Sequence, residues 1–292
     1  MFQRLHKILR RHTSLSQIRH ALITRIGDEN TFSSESANRS VRKGSIPSEY
    51  LHVVSDLPLS PARTFDSAKV IASDLAQRKV LGDGLSCDSV TALRLVYSGQ
   101  GGICSDVSQV FTGLCIAAGI QVREWGVCDD FAGKRGHTFN EIFSSEHNKW
   151  VFLDAHKSLY AKTRGCESPL SVAELINLVT AGEHEKIEMI YIGRIENQHE
   201  CTSNVAMYYF NPKNVFFLIV NNNVFGQDLF LGWADRVPLA VLHALMLVLR
   251  IYPRFAVYTN EDTRQELAGR LHAHKRDLVG MLGRLARALV RA

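Results

Sequence analysis

Cys104, His137 and Asp154 are the residues of this chain whose types and settings could together perform chemistry. A free thiol has a pKa of about 8.5 and is mostly protonated at neutral pH, whereas the thiolate is the nucleophile. A helix N-terminus and a neighbouring imidazolium both stabilise that thiolate. Cys104 follows Gly101-Gly102-Ile103 and precedes the run from Ser105 to Ala118. There Val107, Val110, Phe111, Leu114, Cys115 and Ala118 recur at helical spacing, and Gly119 supplies the stop. The spacing predicts a helix that begins at Cys104 and buries one face. The backbone N–H of Cys104 would then be among the unpaired donors of a helix start, available to an oxyanion. Gly101 and Gly102 give a side-chain-free approach to the sulfur. His137 would act as base and then as acid for a leaving amine, with Asp154 holding the second imidazole nitrogen and fixing the tautomer. A cysteine alone is more often inert packing; glycine before it, helix after it and a hairpin carrying the other two make the set a candidate triad.

That hairpin is legible in the pattern. Val122–Val127, Thr138–Phe143 and Trp150–Leu153 read as strands, and the turn Ser144-Ser145-Glu146-His147-Asn148 joins the last two as an antiparallel pair. Upstream, Ser67 to Arg78 and Asp88 to Ser98 read as helices, the second capped by Ser86 or Asp88. Downstream, Leu170–Thr180 reads as a helix capped by Ser168 with Pro169 in its first position. Ile187–Ile192, Val205–Phe210 and Val215–Val220 are further strand candidates.

At 292 residues and 46% hydrophobic the chain can bury a substantial core, in one large or two modest domains. Its formal charge of +5 is unevenly placed. Arg4, Lys7, Arg10, Arg11, Arg19 and Arg25 open the chain with no acid among them. Arg264, Arg270, Lys275, Arg276, Arg284, Arg287 and Arg291 close it against Glu266 and Asp277, leaving an acidic middle. Basic ends point to an anionic surface. Phe2, Leu5, Ile8, Leu9, Leu15, Ile18, Leu22 and Ile26 suggest two short amphipathic helices, and Gly27 to Glu49 reads as a linker. Pro238 to Leu249 is almost continuously apolar, yet too short to span a ~30 Å hydrocarbon core. Leu267, Leu271, Leu278, Leu282, Leu285 and Leu289 line one side of a basic helix suited to a membrane surface, a partner helix or simple docking. The expected division is 1–49, a basic segment and linker; 50–235, the catalytic domain; and 236–292, C-terminal helices. The 6 cysteines form no CxxC pair, which argues against a zinc knuckle or thioredoxin-type site and for free thiols in a reducing cytosol. The acid-free N-terminus also has the composition of an organellar transit peptide. No aromatics are interleaved with the basic residues, so nucleic-acid binding is not expected.

Gly102-x-Cys104-x-Asp106, then Phe111, Leu114, Ala118-Gly119-Ile120 and Arg123, resembles the nucleophile block of the transglutaminase-like superfamily. Gly136-His137-x-Phe139-x-Glu141 and Trp150-Val151-x-Leu153-Asp154 are similar to its histidine and aspartate blocks. The resemblance implies an α+β, papain-like fold with the nucleophile helix packed on an antiparallel sheet, here with helical terminal extensions. It also implies thioester acyl-enzyme chemistry on an amide of a peptide, protein or other substrate, with no metal or organic cofactor. Phe139 stands where the family more usually has Trp, which bears on the acyl pocket. The oxyanion helper is Gln100 or Tyr97, with Gln100 preferred because an amide donates directly. Asp106 reads as a salt bridge near the helix start and Cys115 as core. His156, two residues after Asp154, reads as a surface residue, with pointing into the same site as the alternative. The run from Phe216-Phe217 to Asn221-Asn222-Asn223, with Trp233 and the apolar helix, is similar to C-terminal parts of bacterial transglutaminase-like proteins associated with polysaccharide biosynthesis. This points to a cytoplasmic protein at the inner face of the membrane.

Two other functions fit parts of the pattern. Arylamine N-acetyltransferases also place Gly-Gly-x-Cys before a His and an Asp, although Ala155-His156-Lys157 lacks the glycine-containing turn expected there. A non-catalytic membrane-associated scaffold would use the basic ends and the apolar helix.

Overall fold

The computed structural model describes residues 21, 23–32, 46–78, 80, 82–129, 131, 136–193, 209–220, 222–234, 236–237, 239–249 and 253–291, with backbone only at 29–30, 239–240 and 281–291. The fold is α+β. Among the described residues its sheet has 8 strands: β1 (Thr24–Ile26), β2 (Val122–Cys128), β3 (Gly136–Ser144), β4 (Lys149–Asp154), β5 (Leu159–Thr163), β6 (Ile187–Tyr191), β7 (Val215–Val220) and β8 (Arg254–Val257). Their spatial order is β1-β8-β7-β2-β3-β4-β5-β6. All neighbours are antiparallel except β1 and β8, which run parallel, so the sheet is mixed.

Among the described residues the α-helices are α1 (Glu29–Phe32), α2 (Ser48–Ser55), α3 (Thr64–Arg78), α4 (Ser89–Tyr97), α5 (Cys104–Ala117), α6 (Val172–Thr180), α7 (Asp228–Leu231), α8 (Leu239–Val248) and α9 (Arg264–Arg291). Strand alternation divides the apolar residues between two faces. Val122, Ile142, Val151 and Leu153 face α5, whose Val107, Val110, Phe111, Leu114 and Cys115 join residues of α2, α3 and α4 in one core. Trp125, Val127, Phe139 and Phe152 face the other way, against Leu218, Ala256 and the α6 residues Val172, Leu175 and Val179. The helix expected at Cys104 thus lies on the sheet as its apolar face requires.

Several elements differ from the sequence expectation. Thr24–Ile26, expected as the end of an amphipathic helix, is an edge strand, because pairing with β8 outweighs local periodicity. The expected linker contains α1, whose Phe32 stacks on Trp125 with ring centroids 5.9 Å apart. It also contains the first two residues of α2; fully buried Tyr50, where the folded region was expected to begin, donates to the Ser89 carbonyl at 3.0 Å. The sheet therefore draws strands from all three expected segments. α6 begins two residues later than expected, capped by the Ser171 hydroxyl on the Glu174 N–H. Leu170 stays extended because its N–H reaches Ala161 O and its carbonyl accepts from Phe152 N–H.

The first half of α9 docks on the sheet edge through Leu267 and Leu271, and Lys275 Nζ donates to Thr24 O at 2.7 Å. Among the described residues no helix is long and apolar enough to cross a membrane. The expected N-terminal helices up to His20, residues 33–45 of the linker, residues 205–208 of the expected strand and Cys201 lie outside the described residues. Tyr209 and Phe210 are not in a strand. Cys87, Cys104, Cys115, Cys128 and Cys166 form no disulfide.

Candidate active site

β3 begins at Gly136 and β4 ends at Asp154, and the two are antiparallel neighbours, so these ends lie on the same side of the sheet. Asn140 pairs with Leu153. Continuing that register places Asp154 across from Phe139, on the diagonal from His137 and on the same face, a separation that long side chains bridge. His137 Nε2 meets Asp154 Oδ2 at 2.6 Å. With Nε2 held there, Nδ1 is the ring nitrogen left for Cys104, whose thiol is hydrogen-bonded to His137.

α5 brings the thiol to this point. Its first residue is half-buried Cys104, and Ser108 and Thr112 follow on the same helical face at intervals of four. Ser108 Oγ donates to Thr138 O at 3.0 Å. Asn140 Nδ2 donates to Thr112 Oγ1 at 2.9 Å and to Ser108 O at 3.3 Å. These bonds fix the helix axially against β3. They also bring the Thr138 backbone within hydrogen-bonding reach of the Cys104 sulfur.

Gly101 and Gly102 hold φ of +111° and +132°, a region that other residues rarely adopt. They serve backbone shape and close packing, since a Cβ on Gly82 would lie 2.7 Å from Gly101 Cα. A Cβ on Gly102 would face Val96, Asp106 and Leu85. The space beside the second glycine is therefore interior and gives no approach to the sulfur. Among the described residues Asp106 does not form the expected salt bridge. Its Oδ2 accepts from the N–H groups of Ile103 at 2.9 Å and Leu85 at 3.1 Å, tying the glycine loop to the helix start.

Burial works against the thiolate, but the His137 hydrogen bond and charge, with the Thr138 backbone, outweigh it and hold the Cys104 pKa below its ordinary value. Burial also disfavours a charged His137; Asp154 reverses this and pushes its pKa up to about 9. Asp154 is held well below the usual carboxylate range despite burial, chiefly by His137. The three groups are thus arranged to carry a thiolate, an imidazolium and a carboxylate in series.

Residues 61–155 match the family model of the transglutaminase-like superfamily. The matched span runs from just before α3 to one residue beyond Asp154, so it contains all three residues. No curated protein and no solved structure matches the chain. Transglutaminase-like domains belong to a superfamily of cysteine-based enzymes.

Other expected residues fall variously. Gln100 is exposed in the turn after α4, where its N–H bonds to Leu95 O at 2.9 Å; its amide makes no hydrogen bond among the described residues. Tyr97, the other oxyanion candidate, donates to Asp74 Oδ2 at 2.8 Å and so serves the helix packing. Phe139 is fully buried behind His137, its ring 5.2 Å from Phe152 and 5.3 Å from Tyr209. It supports the histidine from the core and does not line an acyl pocket. His156, expected at the surface, is half-buried with its ring 5.5 Å from that of His137. Donor atoms of His137, Asp154 and His156 lie within 4.8 Å of one another. Of these atoms, His137 Nε2 and Asp154 Oδ2 already engage each other at 2.6 Å.

Three features of the site were not expected from the sequence. Tyr209 is fully buried and donates its hydroxyl to Asp154 Oδ2 at 2.9 Å, while Lys157 N–H reaches Oδ1 at 2.8 Å. Glu124 is buried near Cys104, and Asn222 donates to it. Its charge is disfavoured by burial, and its pKa rises to about 8. Arg123 and Glu141, which the motif contains, are directly paired across β2 and β3 and form a buried ion pair at 2.7 Å. The i, i+4 spacing of Ser108 and Thr112 was a usable signal for the α5 bonds; Tyr209 and Asn222 are remote in sequence and left none.

Proposed function

We propose that this protein is a transglutaminase-like cysteine enzyme that acts on an amide bond through a thioester at Cys104. The observation that carries the reading is the His137 ring, held on one nitrogen by Asp154 and hydrogen-bonded to the thiol. The Cys104 thiolate adds to the amide carbonyl, and the oxyanion is met by the N–H groups at the start of α5. Gln100, exposed and unengaged before the glycines, supplies a second donor when substrate binds. The C–N bond breaks as His137 gives its proton to the leaving amine, and Asp154 holds the ring throughout. His137 then takes a proton from water or from an acceptor amine, which attacks the thioester and frees the thiol. A papain-like arrangement of helix on sheet and a peptide, protein or other amide substrate belong to the same reading. No step calls for a metal or organic cofactor. Peripheral attachment to an anionic membrane through the terminal helices is supported by the exposed Val241, Leu245 and Val248 on α8, and flotation with anionic liposomes tests it.

Site-resolved alkylation by iodoacetamide from about pH 5 to about pH 9 tests the triad. Cys104 reacts well below neutral pH, and His137→Ala removes that reactivity. Buried Cys115, whose pKa burial raises well above the ordinary thiol value, stays inert. If Cys104 behaves as an ordinary thiol in the intact protein, the proposal fails.

A further inference from the structure

Asn140 is fully buried, yet its side-chain amide is satisfied only on the nitrogen. Nδ2 donates to Thr112 Oγ1 and to Ser108 O. A carbonyl can only accept, so the nitrogen must be the amide atom turned toward α5. Oδ1 therefore points away from the helix, and it has no hydrogen-bond partner among the described residues. Directly across from Asn140 on β2 stands Glu124. Cross-strand partners share a face of the sheet with Cβ atoms ~4.5–5.5 Å apart, within reach of a glutamate side chain. Glu124 is 2% exposed, and its Oε2 accepts from Asn222 Nδ2. Asn222 Oδ1 in turn takes a long contact from Gln227 Nε2 at 3.5 Å. Glu124 Oε1 makes no hydrogen bond among the described residues.

Two buried acceptors set against each other are costly until one of them carries a proton. The flanking strands supply no donor side chain, since β7 places Ile219 opposite Glu124 and β4 places Leu153 opposite Asn140. No cation compensates the carboxyl either. Among the described residues the titratable groups that bear on it are Cys104 and Asp106, both on α5. Arg123, its neighbour on β2, faces the other side of the sheet and is paired with Glu141. A proton on Oε1 removes the charge and gives Asn140 Oδ1 its donor. We propose that Glu124 is a positioning residue for Cys104: as the neutral acid it donates to Asn140 Oδ1 and holds the polar stripe of α5 in register, and as the carboxylate it releases Asn140. The chain then runs from Gln227 through Asn222, Glu124 and Asn140 to Ser108 and Thr112, one and two turns below the sulfur. Burial, and after it the charges of Cys104 and Asp106, keep Glu124 in the acid form up to about pH 8, against the opposing bond from Asn222. The coupling is mutual, so a carboxylate at Glu124 also disfavours the thiolate. The positioning role rests on the cysteine-enzyme reading, whereas the hydrogen bond does not.

Infrared difference spectra of the full chain, with and without Glu124→Gln, test the bond without turnover. A protonated-carboxyl band is present at neutral pH and disappears as pH rises through about 8. Asn140→Leu, which removes the acceptor, moves that band to the higher frequency of a carboxyl whose O–H has no partner. The role is read from the pH profile of Cys104 acetylation by p-nitrophenyl acetate, in which the S–C bond forms as the ester C–O bond breaks and p-nitrophenolate leaves. In the wild type the rate falls as pH rises through about 8. Glu124→Gln, whose amide keeps one donor and one acceptor, moves that fall up to the His137 value of about 9. Glu124→Met, of similar length with neither group, lowers the plateau below pH 8 by about tenfold, the equivalent of one buried hydrogen bond. Glu124→Gln restores it. A band absent at neutral pH, or unmoved by Asn140→Leu, overturns the bond. A fall that stays near pH 8 in Glu124→Gln, or a plateau no higher for Gln than for Met, overturns the positioning role. Should Glu124→Met not fold, the limb of Glu124→Gln decides by itself. Failure of the triad shows separately: Cys104 then alkylates as an ordinary thiol, which removes the positioning role while the infrared band remains.

Discussion

Replacing Tyr209 with Phe removes one oxygen from beside Asp154, and the surroundings set what that costs. Asp154 is fully buried; its Oδ2 accepts from His137 at 2.6 Å and Tyr209 at 2.9 Å, and its Oδ1 from Lys157 N–H at 2.8 Å. The Tyr209 ring packs 5.3 Å from Phe139, 5.2 Å from Phe152 and 6.1 Å from His137, and Phe keeps all three contacts. The loss is therefore one hydrogen bond to a charged acceptor, about 1.5–3 kcal/mol. Because the folded Asp154 pKa is depressed, this stabilisation is fully present above the unfolded carboxylate value of about 3.9 and disappears as pH falls through the lower folded value. The penalty is complete at neutral pH and shrinks only in strong acid. Urea unfolding at neutral pH, followed by tryptophan fluorescence, reads it directly. With a slope of about 3 kcal/mol/M the midpoint falls by about 0.5–1 M. The low-pH alkylation of Cys104 persists, since both contacts of His137 remain. A midpoint change below about 0.2 M, no larger than surface substitutions produce, would refute the claim that Tyr209 holds the carboxylate.

Glu141→Gln leaves Arg123 charged and buried without its carboxylate, and also weakens the Trp125 and Val172 contacts at 2.9 and 3.0 Å. The expected loss is about 3–5 kcal/mol, and a thermal midpoint lowered by less than about 3 °C in calorimetry would contradict it. Glu124 keeps its proton in the folded chain up to about pH 8, whereas the unfolded chain releases it near pH ~4.3. Stability must therefore fall as pH rises between those values. Glu124→Gln flattens that fall, and equal slopes for both proteins in urea titrations across the window would count against it. Gly126→Ala puts a Cβ 2.3 Å from the Phe217 ring. It should cost about 1–3 kcal/mol of overpacking, and an unchanged urea midpoint would sink that prediction.

Elements set by local pattern were legible in the chain. α5, the β3–β4 hairpin and the cap of α4, where Asp88 accepts from Thr91 N–H at 2.9 Å, follow from periodicity and capping chemistry that act within a few residues. What escaped was decided at a distance. Thr24–Ile26 is a strand because β8, more than two hundred residues later in the chain, offers it an edge. Leu170 is extended because two neighbouring backbones claim its hydrogen bonds. The same division runs through the site. Cys104, His137 and Asp154 carry motifs, whereas Tyr209 and Asn222 are recruited from segments whose composition says nothing about carboxylates. Phe139 shows the limit of a motif: its position was meaningful, but its role depended on which face of β3 met the core.

The polar stripe along α5 explains how a thiol on one element can be set against a histidine on another. A helix packed only by Val107, Val110 and Leu114 could slide along the sheet, because apolar contacts are non-directional. Ser108, Thr112 and Asn140 remove that freedom with bonds of 2.9–3.3 Å to β3, beginning one turn below Cys104. Buried polar bonds of this kind add little net stability when satisfied and cost much when broken, so they select one register. His137 lies on the same strand, one residue before the Thr138 carbonyl that accepts from Ser108. The distance between sulfur and imidazole is thus fixed by the helix-to-strand contact itself. Asp154, held by Tyr209 and Lys157, then orients the ring without having to position it.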